Sequence, residues 1–120
     1  MKALFDTNIL IDYLNGYEQA RAEIAQFEHP MISFITWMEV MVGATNNEQT
    51  RIEGFLRKFN WVDIDADVAR IAVQIRRDRR IKLPDAIIWA CAKSQDALLV
   101  TRNIKDFPES SAEIRVPYQL

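Results

Sequence analysis

Four acidic residues have types and spacings that suit metal-assisted chemistry: Asp6, Glu39, Asp85 and Asp106. Asp6 ends the apolar run Ala3-Leu4-Phe5, and no Lys, Arg or His follows within the next several residues. Glu39 comes a few residues after the apolar run "MISF", Asp85 directly follows Pro84, and Asp106 lies a few residues beyond "ALLV". Each has an ordinary local alternative. Asp6 can cap the helix that follows it. Glu39 sits three residues after Thr36, the spacing of a capping box. Asp85 in a first helical turn suits the helix dipole, and Asp106 can be a loop residue. Gathered at one place, however, four carboxylates repel and raise one another's pKa values unless a cation intervenes. No His or Cys cluster accompanies them, which argues against zinc. An all-oxygen set favours Mg²⁺ or Mn²⁺, ions that serve phosphoryl and phosphodiester chemistry. Thr7, Thr101 and Asn103 lie beside these acids and can orient ligands or water around a metal, or serve turns.

Other chemistries lack their parts. The one His, His29, stands beside Pro30 in an expected loop, so no nucleophilic triad is evident, and there is no Gly-rich phosphate loop. Cys91 lies within "IIWACAK", where a small core residue is expected rather than an activated thiolate. The acids would then act by holding metal, with water as the nucleophile.

The elements that must position these acids can be read from the pattern. "KALFD", "MISF" and "ALLV" read as short strands, and "WVDI" as a short strand or extended link. "TNILIDYLNG", "YEQARAEIAQFE", "TWMEVMVGA", "EQTRIEGFLRKF", "ADVARIAVQIRRDRR" and "LPDAIIWACAKSQ" read as helices, the last with Pro84 in its first turn. "TRNIKDF" reads as a loop, and "EIRVPYQ" as a last strand that Pro117 confines to an edge or end. Apolar strands alternating with helices predict crossover units and a mainly parallel sheet covered on both faces. Sites in such sheets lie outside the carboxyl ends of the strands. Asp6, Glu39 and Asp106 are placed there directly. Asp85 joins them if the connection before its helix returns to that edge.

The chain has 120 residues, 49% of them hydrophobic and 27% charged, with a net charge of −2. That predicts one domain spanning 1–120. No apolar run approaches the roughly 18 residues of a membrane span. The N-terminus lacks a signal-peptide pattern, and one Cys is too few for a disulfide scaffold, so a cytoplasmic location and no membrane are expected. Residues 70–82, "RIAVQIRRDRRIK", carry six basic side chains and one acid. This basic band on an acidic body can attract a polyanion or be a solvated helix face.

"LFDTNILI", "SFITWMEVMVGA", "LPDAIIWACA" and "LLVTRNIKDF" resemble the four motif blocks of PIN-domain nucleases, in particular the short VapC-type toxins of toxin–antitoxin pairs. The resemblance runs from residue 4 to 107 and implies a PIN-like three-layer α/β/α sandwich. It implies an Mg²⁺- or Mn²⁺-dependent endoribonuclease, with Asp6, Glu39, Asp85 and Asp106 as the acidic site and Thr7, Thr101 and Asn103 around it. Asp6, Glu39 and Asp85 would hold the metal, Asp106 would assist or position water, and cleavage would leave a 5′-phosphate and a 3′-hydroxyl. Many PIN proteins carry Asp where this chain has Asn103, which points to one well-bound ion with a second arriving with substrate. In this context Arg76, Arg77, Arg79, Arg80 and Lys82 become candidate contacts to RNA phosphates. The resemblance also implies a homodimer, a small VapB-like antitoxin that covers the acidic groove, and operator DNA reached only through that antitoxin. Trp37, Met38, Met41 and Trp89 offer apolar surface for partners, with core packing expected for most of them. The alternatives are a non-catalytic module on the same fold, a phosphatase of the haloacid dehalogenase type, which would need a second Asp where Asn8 stands, and a receiver domain.

Overall fold

The computed structural model describes residues 1–120. Five short strands form the sheet: β1 (Ala3–Phe5), β2 (Met31–Ser33), β3 (Asn60–Val62), β4 (Leu98–Val100) and β5 (Ile114–Arg115), in the order β3-β2-β1-β4-β5. All pairings are parallel. Leu4 stands opposite Leu99, and Phe5 opposite Val100. β5 takes the edge, where Pro117 just beyond it removes no ladder bond.

Alternation along these strands feeds two cores. Leu4, Met31 and Leu99 face one side, where they pack with Val68, Ala72, Ile75, Ile88 and Trp89. Ala3, Phe5, Ile32 and Val100 face the other, against Ile9, Leu10, Ile52, Leu56 and Phe59. Helices α5 (Ala66–Arg79) and α6 (Leu83–Ser94) thus cover one face. The other is covered by α1 (Thr7–Leu14), α2 (Glu18–Ala25), α3 (Phe34–Val42) and α4 (Gln49–Leu56). This is the three-layer α/β/α arrangement that alternating strands and helices predict. No helix is long and apolar enough to cross a membrane.

Three local features set the site edge. β1 ends directly in α1, whose N-cap is Asp6. β2 ends directly in α3, whose N-cap is Ser33, its Oγ accepting from the Ile35 amide at 3.2 Å. Helix α3 therefore starts two residues before Thr36, and the capping-box alternative for Glu39 fails. Thr36 is fully buried inside the helix and Glu39 points elsewhere. Finally, Arg80 ends α5 in the left-handed region (φ 55°), a position usually filled by Gly. The turn it makes brings Ile81 to the loop that carries Asp106, and Asp85 in the first turn of α6 meets Asp106 there.

Candidate functional site

The structure brings all four acids to the carboxyl edge of the sheet. Asp6 is buried at 4% exposure, Asp85 and Asp106 are half-buried, and Glu39 is exposed. The charges of Glu39 and Asp85 act on Asp6, and those of Asp106 and Glu39 act on Asp85. They form one electrostatic group drawn from β1, α3, α6 and the loop after β4.

Three of the acids, Asp6, Glu39 and Asp106, are held by neutral donors. Asp6 Oδ1 accepts from the Thr7 amide at 2.8 Å. Its Oδ2 accepts from Thr101 Oγ1 at 2.7 Å and from Asn8 Nδ2 at 3.2 Å. Thr101 Oγ1 in turn accepts from the Asn103 amide at 2.9 Å. Thr7 Oγ1 lies 2.6 Å from Glu39 Oε1 and 3.1 Å from Thr36 Oγ1. A hydroxyl has one proton, so the short contact to the carboxylate takes it and Thr36 donates to Thr7. Asn103 and Asp106 bind reciprocally. Asn103 Nδ2 donates to Asp106 Oδ2 at 2.9 Å, and the Asp106 amide donates to Asn103 Oδ1 at 3.2 Å. An Asp at position 103 could not make the first of these bonds. Here the residue orients Asp106 instead of adding charge.

None of the five salt bridges in the structure involves these four acids. Burial pushes the Asp6 carboxyl up to about 6, the charges of Asp85 and Glu39 add to this, and the bonds from Thr101 and Thr7 oppose it. Asp85 is raised by burial and by the charges of Asp106 and Glu39, with Lys82 pulling the other way. A buried carboxylate beside Glu39 and Asp85, without a cationic side chain to pair with, offers oxygen donors of the kind that suit a hard divalent ion. No three acidic side chains close into a tight cage. Mg²⁺ fits such an open set because it keeps several waters and takes only one or two carboxylates directly.

The family-model comparison settles the kinship: the PIN domain model matches residues 3–110. The chain belongs to the PIN-domain family. Among PIN relatives, Ribonuclease VapC19 of Mycobacterium tuberculosis is 30% identical, the match covering 96% of this chain and 98% of that protein. The tRNA(fMet)-specific endonuclease VapC of Shigella flexneri is also 30% identical, over 89% of this chain and 90% of its own. A toxin–antitoxin complex from Klebsiella pneumoniae contains a chain with TM-score 0.93 and 43% identity, covering 99% of this chain and 100% of that one. DNA-bound VapBC from Salmonella typhimurium superimposes with TM-score 0.77 at 28% identity, over 96% of each chain. PIN membership sets aside the phosphatase and receiver alternatives.

The remaining expectations divide. Arg76, Arg77, Arg79, Arg80 and Lys82 are all exposed. Arg79 and Arg80 line a shallow open concavity together with Lys105 and Asp106. Arg79 also lies over the Trp89 ring, 4.7 Å from its centroid, so part of its role is packing. Trp89 and Cys91 are core residues and His29 is exposed, as expected. Trp37 and Met41 are half-buried, whereas Met38 is exposed and continues a stripe with Phe34 and Val42 on α3. Sequence reasoning missed Asn8 and Thr36 as supports of the acids. The signal for Asn8 was present, since it lies two residues after Asp6 in the block "FDTN".

Proposed function

We propose that this chain is a divalent-metal-dependent endoribonuclease and the toxin of a VapBC-type toxin–antitoxin pair. The observation that carries this reading is the buried Asp6 carboxylate, which faces Glu39 and Asp85 with only neutral hydrogen-bond partners, Asp106 joining the group through Asp85. Its kinship with Ribonuclease VapC19, the tRNA(fMet)-specific endonuclease VapC and the Klebsiella pneumoniae toxin–antitoxin complex supports ribonuclease activity and an antitoxin partner.

Asp6, Glu39 and Asp85 would hold one Mg²⁺ or Mn²⁺, with Asp106 beside them. The bound ion supplies a more acidic water and neutralises charge at a phosphodiester. The chain's own residues do the rest. Thr101 and Asn8 fix the Asp6 carboxylate by two bonds to one oxygen. Thr7 fixes Glu39. Asn103 aims Asp106, which would assist or position the attacking water. In-line attack would leave a 5′-phosphate and a 3′-hydroxyl. The neutral Asn103 keeps the charge of the group suited to one ion, a second coming with substrate phosphate.

The purified chain should cleave RNA in Mg²⁺ or Mn²⁺, lose that activity in excess EDTA and regain it on adding back the ion. Undiminished cleavage in EDTA, or none with either metal once the chain is freed of antitoxin, would reject this function in favour of a non-catalytic PIN module.

The basic band would bind RNA phosphates beside Asp106. Changing Arg76, Arg77 and Lys82 together to Gln should reduce the slope of log affinity against log salt by about 2, as expected for three lost phosphate contacts on a single strand. Filter binding of an uncleaved RNA across a salt series checks this, with Asp6→Asn as background. An unchanged slope would make the band a solvated face. The apolar stripe Phe34, Met38 and Val42 shares α3 with Glu39. It supports a protein partner at the site's rim, here assigned to a VapB-like antitoxin, with a homodimer elsewhere and operator DNA held by the antitoxin. A cytoplasmic location follows from this role.

A further inference from the structure

Thr101, Arg102 and Asn103 form an irregular segment after β4, and two of its members carry the bonds that fix Asp6 and Asp106. Helix α1 grips the middle residue twice. Asn8 Oδ1 accepts from the Arg102 amide at 3.3 Å. Four residues on and so on the same helix face, Asp12 takes the guanidinium in a fork: Nε to Oδ2 at 2.5 Å and Nη2 to Oδ1 at 2.9 Å. Asp12 is 3% exposed. Its Oδ2 also accepts from Tyr118 Oη at 2.8 Å, which draws the C-terminal tail into the same cluster. Burial and the bond to Asp12 push the Tyr118 phenol up, so it stays a donor. None of these three side chains hydrogen-bonds any of the four acids, and the Tyr118 ring also packs against the core on the α1 side of the sheet. A forked ion pair fixes both distance and orientation, which a single bond does not.

We propose that Arg102, held by Asp12 and Tyr118, is a positioning residue that sets Thr101 and Asn103 against the acids and so tunes metal affinity. This rests on the metal-dependent reading above. Partners that orient metal-binding side chains typically change affinity by about 10–100-fold when lost.

The test compares wild type, Arg102→Lys and Tyr118→Phe. Arg102→Lys keeps the charge but loses the fork. Tyr118→Phe keeps the ring and removes one bond, so it stays informative if Arg102→Lys folds poorly. Mn²⁺ titration calorimetry should show the dissociation constant rising at least about tenfold in Arg102→Lys and by a smaller factor in Tyr118→Phe, while RNA KM stays the same. Without metal, amide hydrogen exchange at Arg102 and Asn103 should quicken at least about tenfold in Arg102→Lys, with α6 amides unchanged. Loss of thermal stability with wild-type Mn²⁺ affinity, or wild-type exchange at both amides, would overturn the proposal. Faster exchange in a protein whose wild type binds no Mn²⁺ would support the clamp and reject the metal-dependent nuclease.

Discussion

Asp6→Asn should abolish RNA cleavage and, in the same protein, make the metal-free fold more stable at pH 8. The activity loss should reach about three orders of magnitude or more, since several kcal/mol of charge stabilisation disappear with the ion. The gain in stability follows from burial. Asp6 titrates near 6 in the native state against 3.8 as the ordinary value. Between those values the native state binds more protons than the unfolded chain, so stability falls as pH rises, and the penalty is complete above about pH 6. The full shift corresponds to about 3 kcal/mol. Asn avoids this cost, but its single acceptor cannot serve both Thr7 on one side and Thr101 with Asn8 on the other. The net gain should be about 1–2 kcal/mol, or roughly 4–8 °C in Tm for a chain of this size. It should vanish near pH 4, where Asp6 is protonated. Thermal unfolding in EDTA at pH 8 and pH 4 measures both. A variant less stable than wild type at pH 8 would mean that Asp6 is an ordinary helix cap.

Proton and metal should compete for the same carboxylates. Under the proposed function, ion binding would require Asp6 ionised, and Asp85 is raised as well. Mn²⁺ affinity should be nearly flat from pH 8 to 7 and fall by about tenfold or more between pH 7 and 5, with proton release on binding. Calorimetry in two buffers of different ionisation enthalpy gives affinity and protons released together. A pH-independent affinity across 5–7 would place the ion away from Asp6. Cleavage at subsaturating metal should follow the same curve, and saturating metal should shift its midpoint downward.

The sequence exposed those parts of the molecule that depend on neighbours along the chain. Short strands running straight into helices put Asp6 and Glu39 at one edge, and Pro84 marked the first turn that carries Asp85. Contacts between distant residues were hidden. Arg102 meets Asp12 across 90 positions, and Tyr118 meets the same Asp12 across 106; no spacing rule announces such pairs. Thr36 misled because Thr-x-x-Glu is a sound cap signal in isolation, but Ser33 ends the strand first and starts the helix before it. Arg79 looked like one more surface cation in a basic run, until packing laid it on Trp89. Asn103 read as a missing charge, whereas its reciprocal bonds make it the orienter of Asp106.

Anomalous diffraction from crystals soaked in Mn²⁺ would test most directly that the four acids share one ion. A single strong peak is expected in the groove bounded by Asp6, Glu39 and Asp85, absent from Asp6→Asn crystals. No peak there at saturating Mn²⁺, or one that survives Asp6→Asn unchanged, would contradict it.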